Sequence, residues 1–159
     1  MKKVLLVDIG NTNIVLGIHS GEKLVFSGRI LTRRDYSYQE LLQLFRDALS
    51  QDNELSNLSY SGSILASVVS EITSVVLNVM ETITGKEPLL AGLSLNSGID
   101  TTDYDTSCLG TDRIVDLVAA SSIYGTPVMV CDLGTCTTIS VLDKNKKLLG
   151  GVICAGIQL

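Results

Sequence analysis

The sequence holds no GxxxxGK[ST] run, so no lysine of the Walker type is present to neutralise a bound polyphosphate. It has one histidine, His19. A Ser-His-Asp or Cys-His catalyst would rest on that residue alone, and it lies in a strand-like run beside a turn, where a surface or structural role is expected. The four cysteines, Cys108, Cys131, Cys136 and Cys154, form no CxxC pair and adjoin no histidine cluster. That sets zinc aside and leaves them as small, mostly buried hydrophobes of a reducing compartment. Basic residues are in deficit, 12 Lys and Arg against 17 Asp and Glu for a net charge of -5, and no basic run is interleaved with aromatics. Nucleic acid is therefore not an expected partner. No apolar stretch reaches the roughly 20 residues that span a bilayer. Asp8 interrupts the opening MKKVLLVDIG well short of a signal peptide. The reading is a cytoplasmic chain with no membrane partner, and its 45% hydrophobic and 18% charged residues are those of an ordinary globular protein.

What is present is a repeat. VLLVDIGNTNIVLGIHSGEKL near the start aligns without a gap on VMVCDLGTCTTISVLDKNKKL, 124 positions later, with Asp8 on Asp132, Gly10 on Gly134 and Lys23-Leu24 on Lys147-Leu148. Each copy is an apolar run, Asp-x-Gly, a second β-rich run, a polar turn and Lys-Leu. Internal self-similarity dictates architecture, and here it predicts two related lobes that open with the same acidic, glycine-containing turn.

Between the copies, residues 3 to 31 read as three strands in an antiparallel meander. Residues 37 to 51 place Leu41, Leu42, Phe45, Ala48 and Leu49 at helical spacing. After a polar loop (residues 53 to 62), SILASVV reads as a buried strand. A helix follows, with Ser70 as its cap, Ile72, Val75, Val76, Val79 and Met80 on one face, and Gly85 as its stop. PLLAG is a further strand, an irregular stretch runs to Cys108, and a third helix spans about Gly110 to Tyr124 before the second meander. The fold class is α/β, with a mixed-sheet lobe in βββαβα order (residues 1–124, including a linking helix) and the first three strands of a duplicated lobe (residues 125–159). No helix follows to cover that second sheet, and a bare face is unfavourable, so the chain is expected to be a truncated piece of a longer protein.

An Asp at a strand end with Gly two residues on sets a carboxylate beside backbone N–H groups in a tight turn. Beside a triphosphate that carboxylate needs an intervening cation, which points Asp8 and Asp132 at Mg²⁺ or a monovalent ion. Asn11 and Thr12 add short polar side chains to the first turn. The third motif, Gly110-Thr111-Asp112-Arg113, opens the last helix. Asp112 falls in the first turn, where the helix dipole favours its ionised form and where it can orient a substrate hydroxyl. Arg113 offers a planar fork for a carboxylate or phosphate.

The set Asp8-Ile9-Gly10-Asn11-Thr12, Gly110-Thr111-Asp112-Arg113, Asp132-Leu133-Gly134-Thr135 and Gly150-Gly151-Val152-Ile153 resembles type III pantothenate kinase, of the acetate and sugar kinase/Hsp70/actin superfamily, along the whole chain. The resemblance implies a ribonuclease H-like, actin/Hsp70-type fold and ATP-dependent phosphorylation of pantothenate, the first step towards coenzyme A. It implies Mg²⁺, a monovalent cation (K⁺ or NH₄⁺) and a homodimer. By position it implies that Asp8, Ile9, Gly10, Asn11, Thr12, Asn13, Ile14 and Val15 line the ATP phosphates and that Thr135 contacts ATP. It implies that Gly110, Thr111, Asp112, Arg113 and Tyr104 hold pantothenate, with Asp112 as proton acceptor, Asp132 on the monovalent cation and Asp8 on Mg²⁺. Asp103, Cys136 and Ala155 depart from the family's usual residues. The alternatives are a nucleotide-binding regulator without turnover, or another small-molecule kinase of the superfamily.

Overall fold

A computed structural model describes residues 2–50, 59–92 and 95–156. Residues 53–58 of the loop expected at 53–62 and the last three residues of the closing segment lie outside the described residues, as does the side chain of Cys108, while Tyr60 to Gly62, expected in that loop, already belong to a strand.

Strands β1 (Lys3–Ile9), β2 (Asn13–Ser20) and β3 (Lys23–Leu31) form the expected meander, β1 with β2 and β2 with β3 both antiparallel. Helix α1 (Tyr38–Ser50) returns the chain to β4 (Tyr60–Ser67), which pairs parallel with β1. Helix α2 (Ser70–Thr84) leads to the two-residue β5 (Leu89–Leu90), parallel to β4. The sheet order is β3-β2-β1-β4-β5, a mixed five-stranded sheet. Order and pairing are those of the ribonuclease H-like, actin/Hsp70-type lobe.

The period of two in β1 and β2 decides which face is core. Leu5, Val7 and Ile9 sit opposite Ile18, Leu16 and Ile14, and these six pack with Leu41, Phe45 and Leu49 of α1 and Ile72, Val76, Val79 and Met80 of α2. Helix α1 starts at a reciprocal capping box. Ser37 Oγ accepts from Glu40 N at 3.3 Å while Glu40 Oε2 accepts from Ser37 N at 2.9 Å. The Ser37 bonds hold the Glu40 carboxyl below its usual range.

Ser70 does not cap α2. It is the helix's first residue, and Val69 occupies the cap position with no side-chain cap bond. Ser67 and Thr73 do the local bonding instead: Ser67 Oγ accepts from Val69 N at 3.2 Å, and Thr73 Oγ1 donates to Val69 O at 2.8 Å. Gly85 stops α2 in the left-handed region (φ 67°), its N–H reaching Glu81 O at 2.7 Å.

The chain divides into two compact units, Met1–Ala91 and Gly92–Leu159. In the second, helix α3 (Thr111–Tyr124) precedes β6 (Val128–Leu133), β7 (Cys136–Leu142) and β8 (Leu148–Ala155), an antiparallel sheet in the order β6-β7-β8. Helix α3 packs on one face of it, with Leu117 against Leu142, Leu148, Val128 and Val130. Met129, Leu133 and Val152, on the other face, are exposed. Cys131 and Cys154 share that uncovered face and Cys136 begins β7 beside the turn, so all three are exposed rather than buried as the sequence reading expected.

Candidate active site

In the first unit, β1 ends at Ile9 and β2 begins at Asn13, with Gly10 N donating to Asn13 O at 2.9 Å across the turn. A Cβ on Gly10 would stand 3.3 Å from that oxygen, tighter than side chains ordinarily tolerate, so close approach is what the position demands of glycine. Alternation along β1 puts Ile9 in the core and turns Asp8 to the face away from α1 and α2, where it is exposed. Asn11 and Thr12 are exposed at the tip, and Gly10, Asn13 and Val15 are half-buried. Ile9 and Ile14 are fully buried, so they serve the turn by anchoring its two strands.

Two residues that sequence reasoning missed hold this turn. Thr32, one position beyond β3, donates from Oγ1 to Gly10 O at 2.7 Å and from its N–H to Thr12 O at 2.9 Å. Arg34 pairs with Glu71 at 2.8 Å and reaches Asn11 Oδ1 at 3.5 Å, which brings a guanidinium to the turn that lacks a Walker lysine.

The second hairpin repeats the first with one residue fewer. Only Gly134 and Thr135 separate β6 from β7, and Gly134 N donates to Cys136 O at 3.1 Å. Asp8 therefore pairs with Val15, whereas Asp132 pairs with Thr138, one position short of the gapless repeat. The helices are also placed differently: Asp8 faces away from α1 and α2, but Asp132 shares the Val130 face on which α3 packs. Asp132 and Thr135 are exposed. Gly156, buried at the end of β8, abuts this turn so closely that a Cβ there would collide with the Gly134 and Thr135 carbonyl oxygens.

Within the same unit, Gly110 caps α3 in an extended conformation (φ −62°, ψ 145°). Asp112 folds back over it, Oδ1 accepting from Arg113 N at 2.8 Å, and a Cβ on Gly110 would strike that oxygen. Thr111 and Asp112 are half-buried. Arg113 is 4% exposed, with Nε donating to Ser140 Oγ at 2.9 Å and Nη2 to Ile139 O at 3.4 Å. Tyr104 is half-buried in the cluster around Leu117, Leu142 and Leu148. Asp103 pairs with Lys147, and its hydrogen bond raises the Lys147 pKa.

Among the described residues no three of His, Cys, Asp and Glu group as a metal cage. The candidate donors, Asp8 and Asp132, are single carboxylates, hard oxygen ligands that suit cations drawing their remaining ligands from water and phosphate. Among the described residues no helix is long and apolar enough to cross a membrane.

The type III pantothenate kinase family model matches residues 4–159. The chain is 35% identical over 156 residues to a type III pantothenate kinase of Finegoldia magna, covering 98% of this chain and 59% of that one. It is 34% identical over 156 residues to one of Exiguobacterium sibiricum, covering 98% and 61%. The chain thus spans about three fifths of the length of these relatives. Among solved structures, the ethanolamine utilization protein EutJ of Carboxydothermus hydrogenoformans superposes with a TM-score of 0.53 at 17% identity, over 98% of this chain and 53% of that one. That likeness is one of fold.

Proposed function

The chain belongs to the type III pantothenate kinase family, and from that premise we propose that the protein phosphorylates the primary hydroxyl of pantothenate with ATP, yielding 4′-phosphopantothenate at the start of coenzyme A synthesis. The observation that carries the reading is the combination, in one family-matched chain, of two Asp-x-Gly hairpins with a half-buried aspartate at the N-terminus of a helix. Asp112 accepts the hydroxyl proton late in transfer, a task that needs little base strength because the transition state is loose. Arg113 and the Gly110-Thr111 backbone hold pantothenate, with Tyr104 beside them. Asp8, Gly10, Asn11, Thr12, Asn13 and Val15 at the first turn, together with Thr135, contact ATP, while the buried Ile9 and Ile14 anchor the strands that carry the turn. Asp8 would hold Mg²⁺ riding on the phosphates, and Asp132 would hold K⁺ or NH₄⁺. When bound, these ions offset phosphate charge that the missing Walker lysine cannot.

The division into a first lobe at residues 1–124 and the opening of a second at 125–159 belongs to the same proposal, as do the homodimer and the cytoplasmic setting. The test is ATP consumption by the full natural protein with pantothenate, Mg²⁺ and K⁺. Pantothenate-dependent ADP formation supports the kinase. ATP binding without turnover supports a nucleotide-binding regulator, and turnover of another acceptor supports a different kinase of the superfamily.

A further inference from the structure

We infer that Ser140 and Gly151 are positioning residues that aim the Arg113 guanidinium at the substrate's carboxylate. The inference rests on the functional reading above and concerns Ser140, which lies outside the quoted motifs, and Gly151, which the closing motif contains without a stated role. Ser140 and Gly151 face one another across the β7–β8 pair. Ser140 is 3% exposed, and its hydroxyl accepts from Arg113 Nε at 2.9 Å. Opposite it, Gly151 presents no side chain, and the guanidinium occupies the vacated space: a Cβ built there would collide with Arg113 Nη2 and with Ile139 O. The seat is formed by one hydroxyl, one carbonyl and one missing methyl group.

What the seat leaves over points to a ligand. A cation this deeply buried is costly unless an anion meets it. Among the described residues no carboxylate lies within ion-pair distance of Arg113. Its Nε and Nη2 are taken, and its Nη1 donates to no described residue. Ser63 Oγ is the only fully buried side-chain N or O atom among the described residues without a partner, so Arg113 Nη1 is not fully buried. One edge of the fork is therefore fixed to the sheet and the other is kept for an incoming anion. Fixing one edge removes rotamer freedom that binding would otherwise have to remove. Because Arg113 follows Asp112 directly in the first turn of α3, the same seat sets the carboxylate-binding end of the substrate relative to the proton acceptor.

The test is steady-state kinetics of the full natural protein and four variants, S140A, S140T, R113K and R113K/S140A, with each substrate varied in turn. Ser140→Ala is expected to raise KM for pantothenate about tenfold, the size of one lost charge-assisted hydrogen bond, with KM for ATP unchanged. Ser140→Thr keeps the acceptor and restores the wild-type value. In the Arg113→Lys background, where no Nε is present, adding Ser140→Ala changes KM for pantothenate less than about twofold. Effects that multiply across the two backgrounds, or that raise both KM values together, overturn the inference. Gly151→Ala leaves the hydroxyl intact but fills the seat, so it too must raise KM for pantothenate selectively. A wild-type value in that variant overturns the inference even if S140A does not fold. A wild-type protein without pantothenate-dependent turnover instead removes the functional reading, and the two failures are distinct.

Discussion

Thr32 Oγ1 donates to the Gly10 carbonyl oxygen at 2.7 Å, so the first Asp-x-Gly turn is tied from outside by a residue 22 positions further along the chain. The Thr32 N–H donates in turn to Thr12 O at 2.9 Å, and the two bonds hold both limbs of the turn to the end of β3. Thr32→Val keeps the size and the backbone bond and removes the hydroxyl. One part-buried hydrogen bond of this kind corresponds to about a three- to tenfold loss of affinity when it orders a binding loop. KM for ATP is expected to rise by that factor while KM for pantothenate stays put. An unchanged KM for ATP would mean that the turn keeps its shape without Thr32.

In the proposed reaction Asp112 is the proton acceptor. Asp112→Asn preserves shape and hydrogen bonding but cannot take a proton, so kcat is expected to fall by roughly 10² to 10⁴. Affinity for ATP, read by equilibrium binding, is expected to change less than about twofold, because uniform binding is untouched. A variant retaining more than a tenth of wild-type kcat would assign the proton to another group.

Much of this was legible in the sequence because the signals are local and repeated. The two meanders, the α1 stripe of Leu41, Phe45 and Leu49, and the Gly85 stop all follow from period, spacing and φ preference. Ser37-Tyr-Gln-Glu40 carries the capping-box signature in plain letters, and α1 uses it. The rest was hidden for physical reasons. A gapless alignment of the repeat cannot show that the second turn is one residue tighter, yet that one residue pairs Asp132 with Thr138. Ser70 fits a cap by composition, but Ser67 and Thr73 satisfy the groups around Val69 first. Thr32, Ser140 and Gly151 act across strands, where sequence separation conceals the contact. The exposure of Cys131 and Cys154 follows from which sheet face α3 covers, and composition does not record that.

The core of the first unit rests on Phe45, fully buried between α1, α2 and the β1–β2 face. Phe45→Ala removes a large apolar side chain from a close-packed site and is expected to lower unfolding free energy by about 3–5 kcal/mol. Urea denaturation followed by circular dichroism measures it. A loss below about 1 kcal/mol would mean that the site collapses freely and that the helices are not locked on the sheet through this residue.

The loop leading to α3 gives the second unit a pH dependence whose sign can be worked out. The Thr102 hydroxyl and then its N–H donate to Asp100 and lower its pKa from the ordinary 3.8. The Ser107 N–H and then its side chain do the same for Asp105. A carboxylate whose folded pKa is depressed contributes its stability fully above the unfolded value and loses it as pH falls through the lower, folded one. The urea midpoint is therefore expected to be flat in these two groups from about pH 5 to neutrality and to fall below about pH 4. Hydrogen bonds are the first cause of both shifts, so high salt should leave the acid limb in place, whereas a charge-pair origin would be screened. Asp100 is also where the loop joins β8, its N–H donating to Lys146 O at 2.9 Å and its carbonyl accepting from Leu148 N at 2.8 Å. Asp100→Asn keeps an acceptor for Thr102 but does not titrate, so it should fold and show a shallower acid limb than wild type. An Asn variant with the wild-type acid limb would place the titration elsewhere in the unit.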